Sequence, residues 1–191
     1  MVTTRNTRED VVRAAGRLFA DRGYHGTSMR DLGKELGLLG SSLYSHVSSK
    51  QDLLVEVVEE GARLFEASAA KASKVEGTAA ERLDALIAGH VGVVVDNIEV
   101  ARTFLNEARM LDDRHRSRIV SARDHYEEAF RSVIRDGVDD GSFGGSVDAK
   151  TASIFILSIL NAIERWYRPE GELDRDALVD ELSVFARAAL T

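Results

Sequence analysis

Cysteine is absent from the 191 residues, which excludes disulfides and thiolate metal sites. Proline occurs once, at Pro169, so almost the whole chain is free to be helical. No run of about 18 uncharged apolar residues exists, and no membrane span is expected. The richest stretch, 152–163, is shorter and contains Ser153, Ser158 and Asn161. The opening MVTTRNTRED carries no apolar segment, so a cleaved signal peptide is not expected and a cytoplasmic location is. Also missing are a glycine-rich dinucleotide fingerprint, a phosphate-binding loop and a nucleophile elbow with an ordered Ser/His/Asp set. No enzyme is therefore expected. The nearest metal candidates, Asp112, Asp113, His115 and His125, read as solvated charge around an inter-helix loop, and neither metal nor cofactor is expected.

What is present is a chain with enough apolar residues (44%) for a real core and a lopsided charge. The net charge is −7, but residues 1–50 hold eight basic and five acidic side chains, a net of +3. The remainder carries −10. A basic head on an acidic body suits a small nucleic-acid-reading domain joined to something else; chance fluctuation gives the same numbers.

Apolar spacing is helical throughout, with no sustained alternation of period two. Val11, Ala14, Ala15, Leu18 and Phe19 form one stripe, followed by Gly23 as a helix terminator. Ser28-Met-Arg-Asp31 reads as a capping box opening a short helix that ends at Gly37. A second short helix is expected at about 40–46, and a long one over about 50–72 after Ser49-Lys-Gln-Asp52. Further helices are expected near 80–95, 98–110, 115–137, 148–166 and 174–190. This gives nine helices and no strands. The expected division is a head over 1–50, a linking helix over 50–72 and a body over 73–191.

Two short helices separated by glycine fit the helix-turn-helix plan, in which the second helix enters the major groove. Tyr44, His46 and Lys50 are placed to donate to phosphate oxygens, while Leu43 and Val47, four apart, face the core. On spacing alone, a short polar connector in an inert bundle reads equally well. The residues Phe19-Ala-Asp-Arg-Gly23-Tyr24-His-Gly-Thr27-Ser28-Met-Arg-Asp31-Leu, then Gly37-Leu-Leu-Gly40-Ser-Ser-Leu43-Tyr44-Ser-His46-Val-Ser-Ser-Lys50-Gln-Asp-Leu53-Leu54, resemble the TetR-family signature. The resemblance covers about residues 8–60. It implies an all-α, nine-helix homodimer with an N-terminal three-helix helix-turn-helix domain and a C-terminal ligand-binding and dimerisation domain. It also implies that Thr27, Tyr44, His46 and Lys50 hold phosphates, and that Gly40, Ser41, Ser42 and Ser45 lie nearest the bases. Ser28 and Arg30 complete the expected DNA-facing set. Three positions depart from the family pattern. Leu39 stands where a polar N-cap is usual, a change that typically costs about 1 kcal/mol, although its side chain could instead meet a thymine methyl. Gly33 replaces a commoner alanine, and Val47 a usual phenylalanine.

In the body, polar groups placed singly on apolar stripes suit a small-molecule site. His90, Val94, Phe104, Arg109, Tyr126, Phe130, Asn161, Arg165 and Trp166 are the expected effector residues. Each has a plainer reading. His90 as a structural histidine, the phenylalanines (Phe155 included) as core, and Arg165 to Gly171 as a staple for the last helix all fit the same pattern. Arg165-Trp-Tyr-Arg-Pro-Glu-Gly171 and Asn106-Glu-Ala-Arg109 resemble segments of TetR-family members that sense acyl-coenzyme A thioesters. The implied function is a repressor that binds a palindromic operator as a dimer and is released by a small molecule such as an acyl-CoA. A drug-like or other hydrophobic effector, or a helical scaffold or enzyme without a DNA role, are the alternatives.

Overall fold

A computed structural model describes residues 7–38 and 43–191. Among them are eight α-helices, one 3-10 turn and no strand. They are α1 (Arg8–Gly26), α2 (Met29–Leu36), α3 (Lys50–Ala72), α4 (Ala79–Asp96), α5 (Ile98–Glu107), the 3-10 turn Ala108–Met110, α6 (Asp113–Asp139), α7 (Ala149–Trp166) and α8 (Arg175–Ala188). This is one helix fewer than the nine expected. The difference is the short element at 40–46. Residues 39–42 lie outside the described residues, and Leu43–His46 forms a hydrogen-bonded turn, with His46 N donating to the Leu43 carbonyl at 3.0 Å.

Local chemistry sets the helix ends. Thr7, Ser28 and Thr78 each accept a hydrogen bond from the third helical amide, while Asp10, Asp31 and Glu81 reach back to the cap amides. These reciprocal boxes satisfy amides that a helix start leaves orphaned. Asp148 and Asp174 cap α7 and α8 the same way on one side. Gly23 breaks α1 three residues before its end, at φ 72° and ψ 165°, a conformation essentially confined to glycine. Gly37 closes α2 in the left-handed region.

The chain packs as two units. The first comprises residues 1–62 and 99–120, the second 63–98 and 121–191. A contiguous head over 1–50 thus does not describe the packing, because α5 and the start of α6 join the head. Side-chain hydrogen bonds and apolar contacts draw them there. Thr103 donates to the buried Gly16 carbonyl at 3.3 Å, and Phe104 lies against Gly61, where a Cβ would come within 2.5 Å of it. The first unit's core is Val11, Ala14, Ala15, Leu18, Phe19, Leu32, Leu43, Val47, Leu53, Leu54, Val57 and Val58. Leu43 and Val47 are buried there as their spacing requires.

The second unit is built on α4, which packs against α7 and α8. Leu83, Ile87, Val91 and Val94 of α4 are fully buried. Ile156, Leu160 and Ile163 of α7 and Leu178 and Ala186 of α8 are buried too. Arg175 chelates Asp96 at 2.9 and 3.1 Å, and Arg187 pairs with Asp84. No helix among the described residues is long and apolar enough to cross a membrane.

Candidate functional site

The expected DNA-facing residues divide into four groups. Tyr44, Ser45, Ser28 and Arg30 are exposed, Tyr44 by 56%. His46 is half-buried, and Arg8 donates to its carbonyl at 2.7 Å while pairing with Glu56 of α3. This fixes the turn between Leu43 and Val47 against the helix that follows. Leu39, Gly40, Ser41 and Ser42, on which base preference was expected to rest, lie outside the described residues.

Thr27 and Lys50 are turned to other work. Thr27 is 2% exposed, and its hydroxyl hydrogen is shared between the Leu18 carbonyl at 3.1 Å and the Gly23 carbonyl at 3.0 Å. This corrects the expected phosphate contact by its side chain: the hydroxyl closes the break at Gly23 instead. The Lys50 ammonium donates to the Tyr24 and Thr27 carbonyls, both at 2.8 Å, and sits 4.1 Å from the Tyr24 ring centroid. An ammonium has three donors, so one remains for a phosphate. Lys50 is thus first a clamp on the end of α1. Lys50→Met is expected to lower stability to urea by about 2–3 kcal/mol, the range for two charge-assisted bonds in a half-buried site. Loss of DNA affinity with no loss of stability would show that the clamp does not form in solution.

Tyr24 gathers this cluster. Its amide donates to Glu107 at 3.2 Å, and its hydroxyl donates to Gln51 at 2.9 Å. The Gln51 amide group donates onward to the Met110 carbonyl at 3.3 Å. Burial raises the Tyr24 pKa, so the phenol remains a donor. The segment from Thr103 to Met110 is therefore hydrogen-bonded to Gly16, Tyr24 and Gln51, and Tyr24 is also one of the two residues that hold Lys50. Sequence reading missed Tyr24, Gln51 and Glu107. Only Tyr24 had a signal, as an aromatic just after a helix-breaking glycine.

In the second unit, three expected effector residues meet. His90 is 1% exposed, and its Nδ1 lies 3.2 Å from the Tyr126 hydroxyl. Tyr126 packs on Phe130, ring centroids 5.6 Å apart. Phe65 of α3, not anticipated, closes on both, 4.9 Å from His90 and 5.4 Å from Tyr126. Ser68, also unanticipated, bonds Tyr126 and donates to the Phe65 carbonyl at 3.0 Å. Burial holds the His90 pKa down at about 3 and raises that of Tyr126, so both are neutral near pH 7. The Leu160 carbonyl favours a protonated ring, yet Nε2 makes no hydrogen bond of acceptable geometry. Val94 is fully buried on the same helix, and Asn161 is half-buried on α7.

The other expected effector residues lie elsewhere. Phe104 and Arg109 belong to the first unit, Phe104 buried against Gly61 and Arg109 exposed. Arg165 and Trp166 are exposed at the end of α7, Arg165 paired with Glu164 and Trp166 edge-on to Tyr167. Trp166 is one of several exposed large apolar side chains on α7 and α8. Ile154, Phe155 and Ile159 of α7, with Val184 and Phe185 of α8, are all exposed, Phe155 by 64%. This overturns the placing of Phe155 in the core: its stripe on α7 points away from α4. Asp112 caps α6 by accepting from His115 N at 3.0 Å, and His125 bonds the Ser121 carbonyl. No group of three or more His, Asp or Glu among the described residues is arranged to hold a metal.

Residues 11–57 match the family described as bacterial regulatory proteins, tetR family, and residues 76–190 match the tetracyclin repressor-like C-terminal domain. The chain belongs to the TetR family of bacterial regulatory proteins. The HTH-type transcriptional repressor KstR2 of Mycolicibacterium smegmatis is 25% identical over 193 residues, covering 96% of this chain and 90% of the relative. The TetR family transcriptional regulator PfmR from Thermus thermophilus is 30% identical, with a TM-score of 0.85 over 95% of this chain and 98% of that one. AibR, solved in complex with isovaleryl coenzyme A and operator DNA, is 23% identical. It shares the fold, with a TM-score of 0.84 over 93% of this chain and 96% of that one.

Proposed function

We propose that the protein is a cytoplasmic, ligand-responsive transcriptional repressor, not an enzyme, that binds a palindromic operator as a homodimer and is released by an acyl-CoA thioester. The observation that carries the effector half is the aromatic cluster around His90, a buried site with a neutral polar pair at its centre. Three supports stand behind the rest: the matched regulatory family, the exposed face at Tyr44 and Ser45, and a relative of like fold solved with an acyl-CoA and DNA.

On this reading, Arg30, Tyr44, His46 and the third donor of Lys50 grip phosphates, and Ser45 is nearest the bases, as expected also of Gly40, Ser41 and Ser42. His90, Val94, Tyr126, Phe130 and Asn161 receive the acyl group, joined by Phe65 and Ser68. Arg109, Arg165 and Trp166 are left to the more polar part of the effector or to assembly.

Coupling follows from two continuous helices. The helix α3 begins with Lys50 and carries Phe65 and Ser68 near its end, so one unbroken element bears residues of both the DNA grip and the effector site. The helix α6 carries Tyr126 and starts immediately after the segment hydrogen-bonded to Tyr24 and Gln51. On this reading effector binding disfavours operator binding, and reciprocity then requires that operator binding weaken effector binding. The test is a titration of the protein on its own upstream DNA across salt concentrations, with a panel of acyl-CoA thioesters, free acids and cationic drugs. Affinity falling steeply with salt, and release by thioesters alone, is expected. Salt-independent binding would defeat the DNA role, and release by cations alone the effector class.

A further inference from the structure

A break in a helix leaves peptide groups without their regular partners, and the groups that replace those partners fix where the broken end lies. At Gly23, φ 72° and ψ 165° end the regular course of α1, and the Tyr24 N–H donates to the Glu107 carboxylate at 3.2 Å. This is a charge-assisted bond, stronger than one between neutral groups. Glu107, the last residue of α5, stands so near the break that a Cβ on Gly23 would lie 3.5 Å from its Oε1. The Thr27 hydroxyl closes the other side by bonding the Gly23 carbonyl at 3.0 Å. Residues 24–27 are thus held from both sides.

Lys50 rests on what Glu107 holds. Its ammonium donates to the Tyr24 and Thr27 carbonyls, both at 2.8 Å, and lies over the Tyr24 ring. Two fixed N–H groups on a tetrahedral nitrogen set the direction of the third. The third N–H of Lys50 therefore points where residues 24 and 27 send it. The Tyr24 hydroxyl is tied to Gln51, the neighbour of Lys50 on α3, at 2.9 Å, which anchors the ring. The tie on the Tyr24 backbone amide is Glu107.

We infer that Glu107 is a positioning residue of the DNA grip, its carboxylate holding the Tyr24 backbone so that the third donor of Lys50 faces a phosphate. This rests on the reading above that Lys50 grips phosphate, and it adds a residue that acts through Tyr24 rather than on DNA. The sign of its effect is distinctive. A carboxylate in a domain that binds a polyanion repels it, so charge alone predicts tighter binding when Glu107 is removed. Positioning predicts weaker binding, because Lys50 loses its aim.

Fluorescence anisotropy of the full-length protein on its own upstream DNA, across a range of salt, separates the two. Glu107→Ala is expected to bind about tenfold more weakly, as loss of a charge-assisted bond allows, with a salt slope shallower by about one phosphate per protomer. Lys50→Met is expected to do the same, and in the Glu107→Ala background to add less than about twofold, since both changes remove one contact. Glu107→Gln, which removes the charge and keeps an acceptor oxygen, is expected to recover most of the loss. Urea unfolding of each variant gives its folded fraction, and affinities are taken per folded molecule. Equal or tighter binding by Glu107→Ala, independent effects of the two substitutions, or no recovery by Glu107→Gln overturns the assignment and leaves the Lys50 grip standing. Unchanged affinity and slope in Lys50→Met overturn the grip itself, and the positioning role falls with it.

Discussion

Replacing both Phe155 and Phe185 by glutamate is expected to leave the protein monomeric and to cost about 10³-fold or more in operator affinity. The two side chains are 64% and 56% exposed on α7 and α8, and Ile154, Ile159, Trp166 and Val184 share their exposure. Large aromatic side chains each offer roughly 150–250 Å² to a partner. Clustered apolar exposure of this kind, on two helices of one unit, marks a protein–protein face rather than a solvated surface. Two-fold pairing would lay the α7 and α8 helices of one protomer against those of its partner, with the same residues on both sides. Each glutamate then puts a carboxylate into an apolar interface twice over, and an unpaired buried charge is among the costliest single changes. A monomer can engage one half-site only and forfeits most of the margin between specific and non-specific binding, typically about 10³ or more. Sedimentation velocity reads the assembly and fluorescence anisotropy reads the affinity. Val75→Glu, on an exposed loop, should change neither. A variant that still sediments as a dimer would mean that this face is not the one that pairs.

The features readable from sequence were those set by neighbours along the chain. The capping box of Ser28 with Asp31, the glycine breaks at 23 and 37, and the burial of Leu43 and Val47 depend on residues no more than about four positions apart. What needed the folded chain was direction in space. Lys50 and Thr27 carry the right donors for phosphate, but whether those donors meet carbonyls at Tyr24, Gly23 and Leu18 depends on how α1 breaks against α3. An exposed stripe and a buried stripe on α7 have nearly the same composition, so Phe155 could not be told from Ile156 without knowing which side α4 covers. The His90–Tyr126 pairing joins residues 36 apart, and Phe65 and Ser68 complete it from a third helix. Nothing in local periodicity ties α3 to that cluster. Residues 99–120 packing with the head is likewise a long-range result, carried by Thr103, Glu107 and Met110.

Stability is expected to fall as pH drops from about 6.5, and His90→Phe is expected to remove most of that fall down to about pH 5. The folded pKa of His90 is about 3 because burial penalises the imidazolium, whereas an unfolded histidine titrates near 6.5. Between those values the unfolded chain holds a proton that the folded chain does not, so stability rises with pH across the window and is fully present above about 6.5. The contribution lost by about pH 5 is about 2 kcal/mol, and by about pH 3 at most about 5 kcal/mol, a large share of the stability of an ordinary domain. The capping carboxylates act in the same direction but lower down. Asp10, Asp31, Glu81, Asp112 and Asp148 are held below their usual values by hydrogen bonds at helix starts, so their contributions disappear only as pH falls through and below the ordinary carboxylate range. Urea unfolding at about pH 7 and about pH 5, at one fixed protein concentration because assembly adds to apparent stability, separates the two. The wild type should lose about 2 kcal/mol more than His90→Phe over that interval. Parallel titration of the two proteins would mean that water or a counter-charge reaches the His90 ring.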